Sequence, residues 1–272
     1  MKHLLAVTIA SSALAIAAPA SADPVDLSSW TALTLDFPGG QGAGSWVLEA
    51  GNTAVRQVIN ADPSFFLNNL HQTAYTIEGS WQVSSYGGDD DYMGFAFGYQ
   101  NSSNFYLFDW KRGTQGYAGR TANAGMTVKK FTGATGNGLT DLSIEEFWEN
   151  GADFGDMSVL ATNHGAGLGW ASPTFYTFTL DFGLVANQFR IVVKEGVTAL
   201  WDVTVDDSTF TAGQFAFFNN SQANVHYAGF EQDGGVIVDP DPDPDPVPEP
   251  ASMTIVGLGL LSWACSRRRR QA

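Results

Sequence analysis

The chain has 272 residues, with 28 Asp and Glu against 13 Lys and Arg, a formal charge of −15, and 13% aromatic content. That acidity excludes nucleic acid and anionic lipid surfaces as electrostatic partners. The single cysteine, Cys265, excludes an intrachain disulfide, so core burial, with or without a metal, must hold the fold.

Met1-Lys2-His3 is a short basic start, Leu4 to Ala18 is apolar, and Ala20-Ser21-Ala22 is a small-x-small cleavage site. This order predicts a secretory signal peptide over residues 1–22. Residues 23–232 then make one domain, in which 22 acidic side chains face 8 basic ones. A single β-sandwich commonly reaches that length. The acidity suits a soluble exported protein and the binding of divalent cations.

The domain reads as all β. Apolar residues alternate at period two over residues 74–83, 105–110, 174–180, 189–194, 199–205, 214–218 and 225–230. These runs are rich in aromatic and β-branched residues and are bounded by Gly, Asn, Asp and Pro. Lys194-Glu195-Gly196-Val197 predicts a hairpin turn. No stretch keeps a helical period; Ser143-Ile144-Glu145-Glu146 predicts a capping box opening a helix of one or two turns. Two facing antiparallel sheets would bury the many Phe and Trp side chains.

Asp89-Asp90-Asp91 follows Gly87-Gly88 and precedes the strand-like run 92–99. Three adjacent carboxylates repel one another unless a cation sits among them. Ca²⁺ takes six to eight oxygens, which loop carboxylates and carbonyls supply. Zn²⁺ is disfavoured because the domain has no cysteine and His71, His164 and His226 are scattered. The residues alone fit either a calcium loop or a solvated acidic turn. Catalysis is not expected. A glycosidase needs two carboxyls about 5 Å apart or somewhat more, and Glu145, Glu146 and Glu149 come nearest without a clean strand spacing. No Gly-x-Ser-x-Gly occurs, and no Ser with matched His and Asp is visible.

Residues 233–250 read as a linker. Asp-Pro repeats from Asp239 to Pro246 predict a stiff polyproline-II spacer. Residues 251–272 hold an apolar run from Ala251 to Cys265 and the block Arg267-Arg268-Arg269-Arg270. About fifteen residues make a helix of roughly 22 Å, short but anchorable at the interface by Trp263 and the arginines. The arginines keep the C-terminus cytoplasmic. Pro248-Glu249-Pro250, the apolar span and the arginines together resemble the PEP-CTERM sorting signal of Gram-negative bacteria. The resemblance implies an exosortase-type membrane protease as partner. It also implies an inner-membrane stage before processing, then the cell surface or extracellular matrix.

The run Asp89 to Lys111, DDDYMGFAFGYQNSSNFYLFDWK, resembles the core motif of the thrombospondin C-terminal domain family. Gln57 to Pro63, Trp148, Asn150-Gly151, Gly169-Trp170, Arg190 to Val193, Glu195-Gly196 and Gly213 to Phe218 keep that family's order. The likeness covers most of Val47 to Glu231. It implies a concanavalin-like, L-type-lectin-like antiparallel β-sandwich, calcium binding, and a role in adhesion or matrix contact. Carried over residue by residue, Asp89, Asp90 and Asp91 become calcium ligands, Asn60 and Asp62 further candidates, and Asn163 aligns with an acidic or polar family position. The chain departs from animal members in lacking the calcium wire repeats, their cysteines and an Arg-Gly-Asp tripeptide. The expectation is an exported calcium-binding module for a polysaccharide or a surface protein. A glycoside hydrolase or lyase, or a purely structural matrix protein, are the alternatives.

Overall fold

A computed structural model of the chain describes residues 24–84 and 88–238. The expected signal peptide (1–22), the Asp-Pro repeats and the sorting tail (251–272) lie outside the described residues. Among the described residues, sixteen strands follow in chain order. They are β1 (Thr31–Thr34), β2 (Trp46–Glu49), β3 (Ala54–Gln57), β4 (Ser64–Leu67), β5 (Gln72–Val83), β6 (Tyr92–Asn101), β7 (Asn104–Lys111) and β8 (Gln115–Tyr117). Then come β9 (Arg120–Ala122), β10 (Gly125–Thr132), β11 (Met157–His164), β12 (Phe175–Phe182), β13 (Gln188–Glu195), β14 (Thr198–Asp206), β15 (Gln214–Asn220) and β16 (Val225–Ile237). Two short helices, α1 (Gly138–Asp141) and α2 (Ile144–Trp148), lie between β10 and β11. Among the described residues no helix is long and apolar enough to cross a membrane.

Fourteen of these strands form two seven-stranded antiparallel sheets, ordered β1-β4-β15-β6-β7-β10-β11 and β14-β13-β12-β5-β16-β3-β2, and β8 and β9 pair as a separate antiparallel hairpin. The antiparallel sandwich expected from the sequence is thus what the chain builds. The inner faces meet through aromatics. Phe95 of β6 stacks on Phe178 of β12 at 4.6 Å, and Phe108 of β7 on Trp81 of β5 at 5.7 Å. Offset rings at these spacings add to the burial of large apolar surfaces. The expected hairpin closes between β13 and β14, where Glu195 pairs with Thr198 and Gly196 takes φ 56°. β16 continues to Ile237, still paired to β5, so it enters the segment read as linker.

The first sheet is buried on both faces, and this positions the site. Its outer face carries Tyr92, Ala96, Phe105, Leu107, Phe131 and Phe218, covered by Phe147 and Trp148 of α2. β6 is therefore apolar at successive positions rather than alternating. Gly94, inside the motif, is required by close approach of β7: a Cβ there would meet the Phe108 carbonyl oxygen at 2.0 Å.

Candidate functional site

A cleft of about 410 Å³ opens beside the start of β6. The turn at 39–41, the segment between β3 and β4, the loop before β6, the hairpin strand β8, α2 and the end of β15 all reach it. Asn60, Asp62, Asp89 and Asp91 line it, so the topology joins four of the five expected metal ligands. Asp90 is absent from that lining. Its carboxylate turns toward Gly113, where a Cβ would come within 2.2 Å of Oδ2.

The three aspartates place one carboxylate oxygen each within 4.8 Å of one another. A cation already moderates their repulsion. The fully buried Lys111 ammonium donates to Asp91 Oδ1 at 2.7 Å, Asp90 Oδ1 at 3.1 Å, the Asp90 carbonyl at 2.8 Å and Gln115 Oε1 at 2.9 Å. Asp91 is fixed further, its amide donating to Gln222 Oε1 at 3.1 Å and its carbonyl accepting Trp170 Nε1 at 2.9 Å.

Asp89 is left over. Burial first, then a hydrogen bond and the negative charge of Asp91, push its carboxyl up to about 7, against a smaller opposing hydrogen bond from Asn60. Its Oδ2 is buried with no hydrogen-bond partner. Two carboxyls in contact, one with an open oxygen, can share a proton or grip a hard dication. Asp62 is more committed: Oδ2 accepts the Phe37 amide at 2.9 Å and Oδ1 the Gln41 amide at 2.8 Å, holding the 37–41 turn against the cleft. Asn163 lies away from the cleft, on β11, donating to the Leu200 carbonyl at 3.3 Å.

The rest of the lining is aromatic and polar. Tyr117 of β8, 48% exposed, packs its ring 5.3 Å from that of Trp148. Trp148 and Asn220 are 5% and 2% exposed, and their Nε1 and Nδ2 have no partner. Helix α2 carries Trp148 there. Lys129 Nζ donates to the Phe147 carbonyl at 2.7 Å and Tyr92 Oη to the Trp148 carbonyl at 2.6 Å, satisfying orphan carbonyls at the helix end. Lys129 is itself paired with Asp109 at 2.7 Å, both side chains fully buried.

The capping box forms as expected, and it settles the role of Glu146. Its Oε2 accepts the Ser143 amide at 2.5 Å and the Ser143 hydroxyl at 2.8 Å, and its Oε1 accepts the Asp156 amide at 2.6 Å. With 3% exposure and both oxygens engaged, Glu146 is an anchor for the cover of the first sheet. Glu146→Ala is expected to lower stability by about 2–3 kcal/mol, the loss of charge-assisted bonds to donors then left buried. The shift of the urea midpoint at constant slope measures it.

Sequence reading missed one constellation. On the outer face of the second sheet, Glu49 Oε2 meets His226 Nδ1 at 2.8 Å, and His226 Nε2 meets Ser84 Oγ at 3.1 Å. This is the order of a serine–histidine–acid relay. Yet Arg56 pairs with Glu49 at 3.0 Å, Ser84 is exposed, and its amide is taken by the Asn224 carbonyl at 3.2 Å. That amide cannot serve an oxyanion, so the trio reads as a surface hydrogen-bond chain. Tyr117 and Asn220 were also missed. The polar run Asn219 to Gln222 after an apolar strand was their one sequence signal.

The model of the family described as thrombospondin C-terminal region matches residues 41–233, and that of the PEP-CTERM protein-sorting motif matches residues 246–270. Thrombospondin-2 of Gallus gallus is 28% identical over 190 residues, 68% of this chain and 16% of the relative. Thrombospondin-4 of Bos taurus is 30% identical over 188 residues, 66% of this chain and 19% of the relative. The chain thus spans a fifth or less of the length of these relatives. Among solved structures, the VIP36 exoplasmic/lumenal domain in a Ca²⁺/Man3GlcNAc-bound form superposes with a TM-score of 0.47 at 11% identity, covering 84% of this chain and 92% of that one. Peanut lectin with a 9-residue peptide gives 0.46 at 9% identity, covering 78% and 100%. With the family model spanning well over half its length, this chain belongs to the thrombospondin C-terminal region family and carries a PEP-CTERM sorting motif behind that domain.

Proposed function

We propose that the chain is an exported, calcium-binding surface module that holds an extracellular polysaccharide or a surface protein, without catalysis of its own. The observation that carries this reading is the open, buried Oδ2 of Asp89 beside Asp91 and Asn60 in one cleft. Asp89 and Asp91 would hold the calcium ion, with the Asn60 amide oxygen and backbone carbonyls completing an oxygen shell. The bound ion would neutralise the Asp89–Asp91 pair and stiffen the loop before β6. The engagement of both Glu146 oxygens supports a binding role over glycoside hydrolysis. Calorimetric titration of the purified full-length chain in mild detergent with CaCl₂ tests this. Saturable heat that Asp89→Asn removes is expected; no heat from the unaltered chain contradicts it.

The sorting motif supports a route as well. The signal peptide sends residues 23–250 outward, the tail holds the chain in the inner membrane, and an exosortase-type protease releases it to the surface or matrix of a Gram-negative cell. Pro248→Ala with Glu249→Ala is expected to leave the chain uncut in the membrane fraction. Intact-mass measurement after fractionation checks this, and unchanged cleavage would refute it.

A further inference from the structure

A calcium ion held by Asp89 and Asp91 would leave two N–H donors of the cleft unpaired. Buried polar atoms are nearly always paired, and clustered exceptions call for an explanation. Three unpartnered atoms belong to residues of this one cleft: Asp89 Oδ2, Trp148 Nε1 and Asn220 Nδ2. Asp89 Oδ2 can bind a cation or accept a proton. The other two are N–H donors on side chains at least nine-tenths buried, and an N–H donor cannot ligate a cation. Acceptor oxygens brought in by a ligand would pair them.

The remaining wall narrows the ligand class. Tyr117 offers a half-exposed ring face, held in place by Trp148. Gln41 and Gln115 also line the cleft. The ligand therefore needs a flat apolar face and, at its edge, oxygens that accept from N–H and donate to a carboxylate. A pyranose meets both demands, because every hydroxyl is donor and acceptor and one ring face presents C–H bonds. The cleft volume falls within the range of small-ligand pockets, about 300–1,000 Å³. A phosphate or sulfate ester is disfavoured by the chain's charge of −15.

We propose that this cleft is a saccharide subsite, in which Tyr117 stacks on a pyranose ring whose oxygens accept from Trp148 Nε1 and Asn220 Nδ2 and whose hydroxyl donates to Asp89. The inference rests on reading the cleft as the binding site of the proposed surface module, and it fixes the ligand class and the contacts. The bond to Asp89 and a calcium ion compete for one oxygen, or the sugar hydroxyl joins the ion's shell. The calcium arm of the test separates these cases.

The experiment uses the full-length chain in mild detergent, labelled with ¹⁵N-tryptophan, with the Trp148 indole resonance assigned by its loss in Trp148→Phe. Cellohexaose, mannohexaose and chitohexaose are added separately to about 10 mM, above the roughly 1 mM dissociation constant of a small exposed site. Each addition is repeated with CaCl₂ and with chelator. The inference predicts that at least one hexaose moves the Trp148 indole signal saturably. Tyr117→Ala should weaken that binding about tenfold, the loss of one ring face, while leaving the CaCl₂ heat unchanged. A Trp148 signal unmoved by all three sugars in both arms overturns the inference, and shifts confined to other indoles do the same. Calcium heat persisting in either case leaves the calcium reading intact. Sugar binding at Trp148 without any calcium heat removes the calcium reading and keeps the subsite.

Discussion

Replacing Lys129 by methionine is expected to destabilise the domain by about 3–5 kcal/mol, because it strands a buried carboxylate. Lys129 and Asp109 face each other at 2.7 Å on the outer face of the first sheet, both fully buried. Burial pushes the Asp109 carboxyl up and the Lys129 ammonium down, each charge holding the other in place. The lysine also donates to the Phe147 carbonyl and lies 5.1 Å from the Tyr92 ring, so it pins α2 to β10 and Trp148 to the cleft. Asp109→Leu combined with Lys129→Met should recover much of the loss, since a packed apolar pair needs no partner for a buried charge. Urea unfolding of the two single variants and the double variant measures the coupling. Additive losses would show that the pair is not one unit.

The second large effect concerns Asp89. In calcium at a hundred times its dissociation constant, mass action adds about 2.7 kcal/mol to the stability of the unaltered chain. Asp89→Asn should lose most of that gain, because the amide keeps the shape but removes a charge. In chelator the sign reverses. The folded Asp89 carboxyl is raised to about 7 against an ordinary value of 3.8, so between these values the folded state holds more protons than the unfolded one. Its stabilising share is complete below the ordinary value and is lost as pH rises through about 7. Metal-free chain should therefore melt at lower temperature at pH 8 than at pH 5.5 by a slope that Asp89→Asn flattens. Calcium affinity should weaken over the same window as pH falls, since proton and ion compete for one oxygen. Melting curves in chelator and in CaCl₂ across that range read both trends. A slope identical in the variant would show that another group titrates.

What the sequence made legible follows from where water lies. β5, β12, β13 and β16 have one face on the core and one toward solvent, and their period-two runs declare them. β10 escaped notice because its second buried face carries Thr127 and Lys129, which break the apolar pattern while serving a buried ion pair. β1 to β4 have four residues each, too few for a period to show. In the site, the aspartate run was visible as a charge anomaly, and family likeness added Asn60 and Asp62. The part taken by Lys111 was not visible, since nothing local marks a lysine as buried among the carboxylates it neutralises. Nor was the approach of one Asp90 oxygen to Gly113, which depends on the backbone there. Asn220 reaches the cleft through its pairing with Tyr92, more than a hundred residues away in sequence, and Tyr117 through the β8–β9 hairpin and its packing on Trp148.

The central claim is that Asp89 and Asp91 grip a hard dication. Its most direct test is a crystal grown in millimolar calcium, with anomalous data collected at long wavelength. The account predicts a calcium peak bound by oxygens of both aspartates at about 2.3–2.6 Å. Only water between them, with Asp89 still reaching for Asp91, would contradict it.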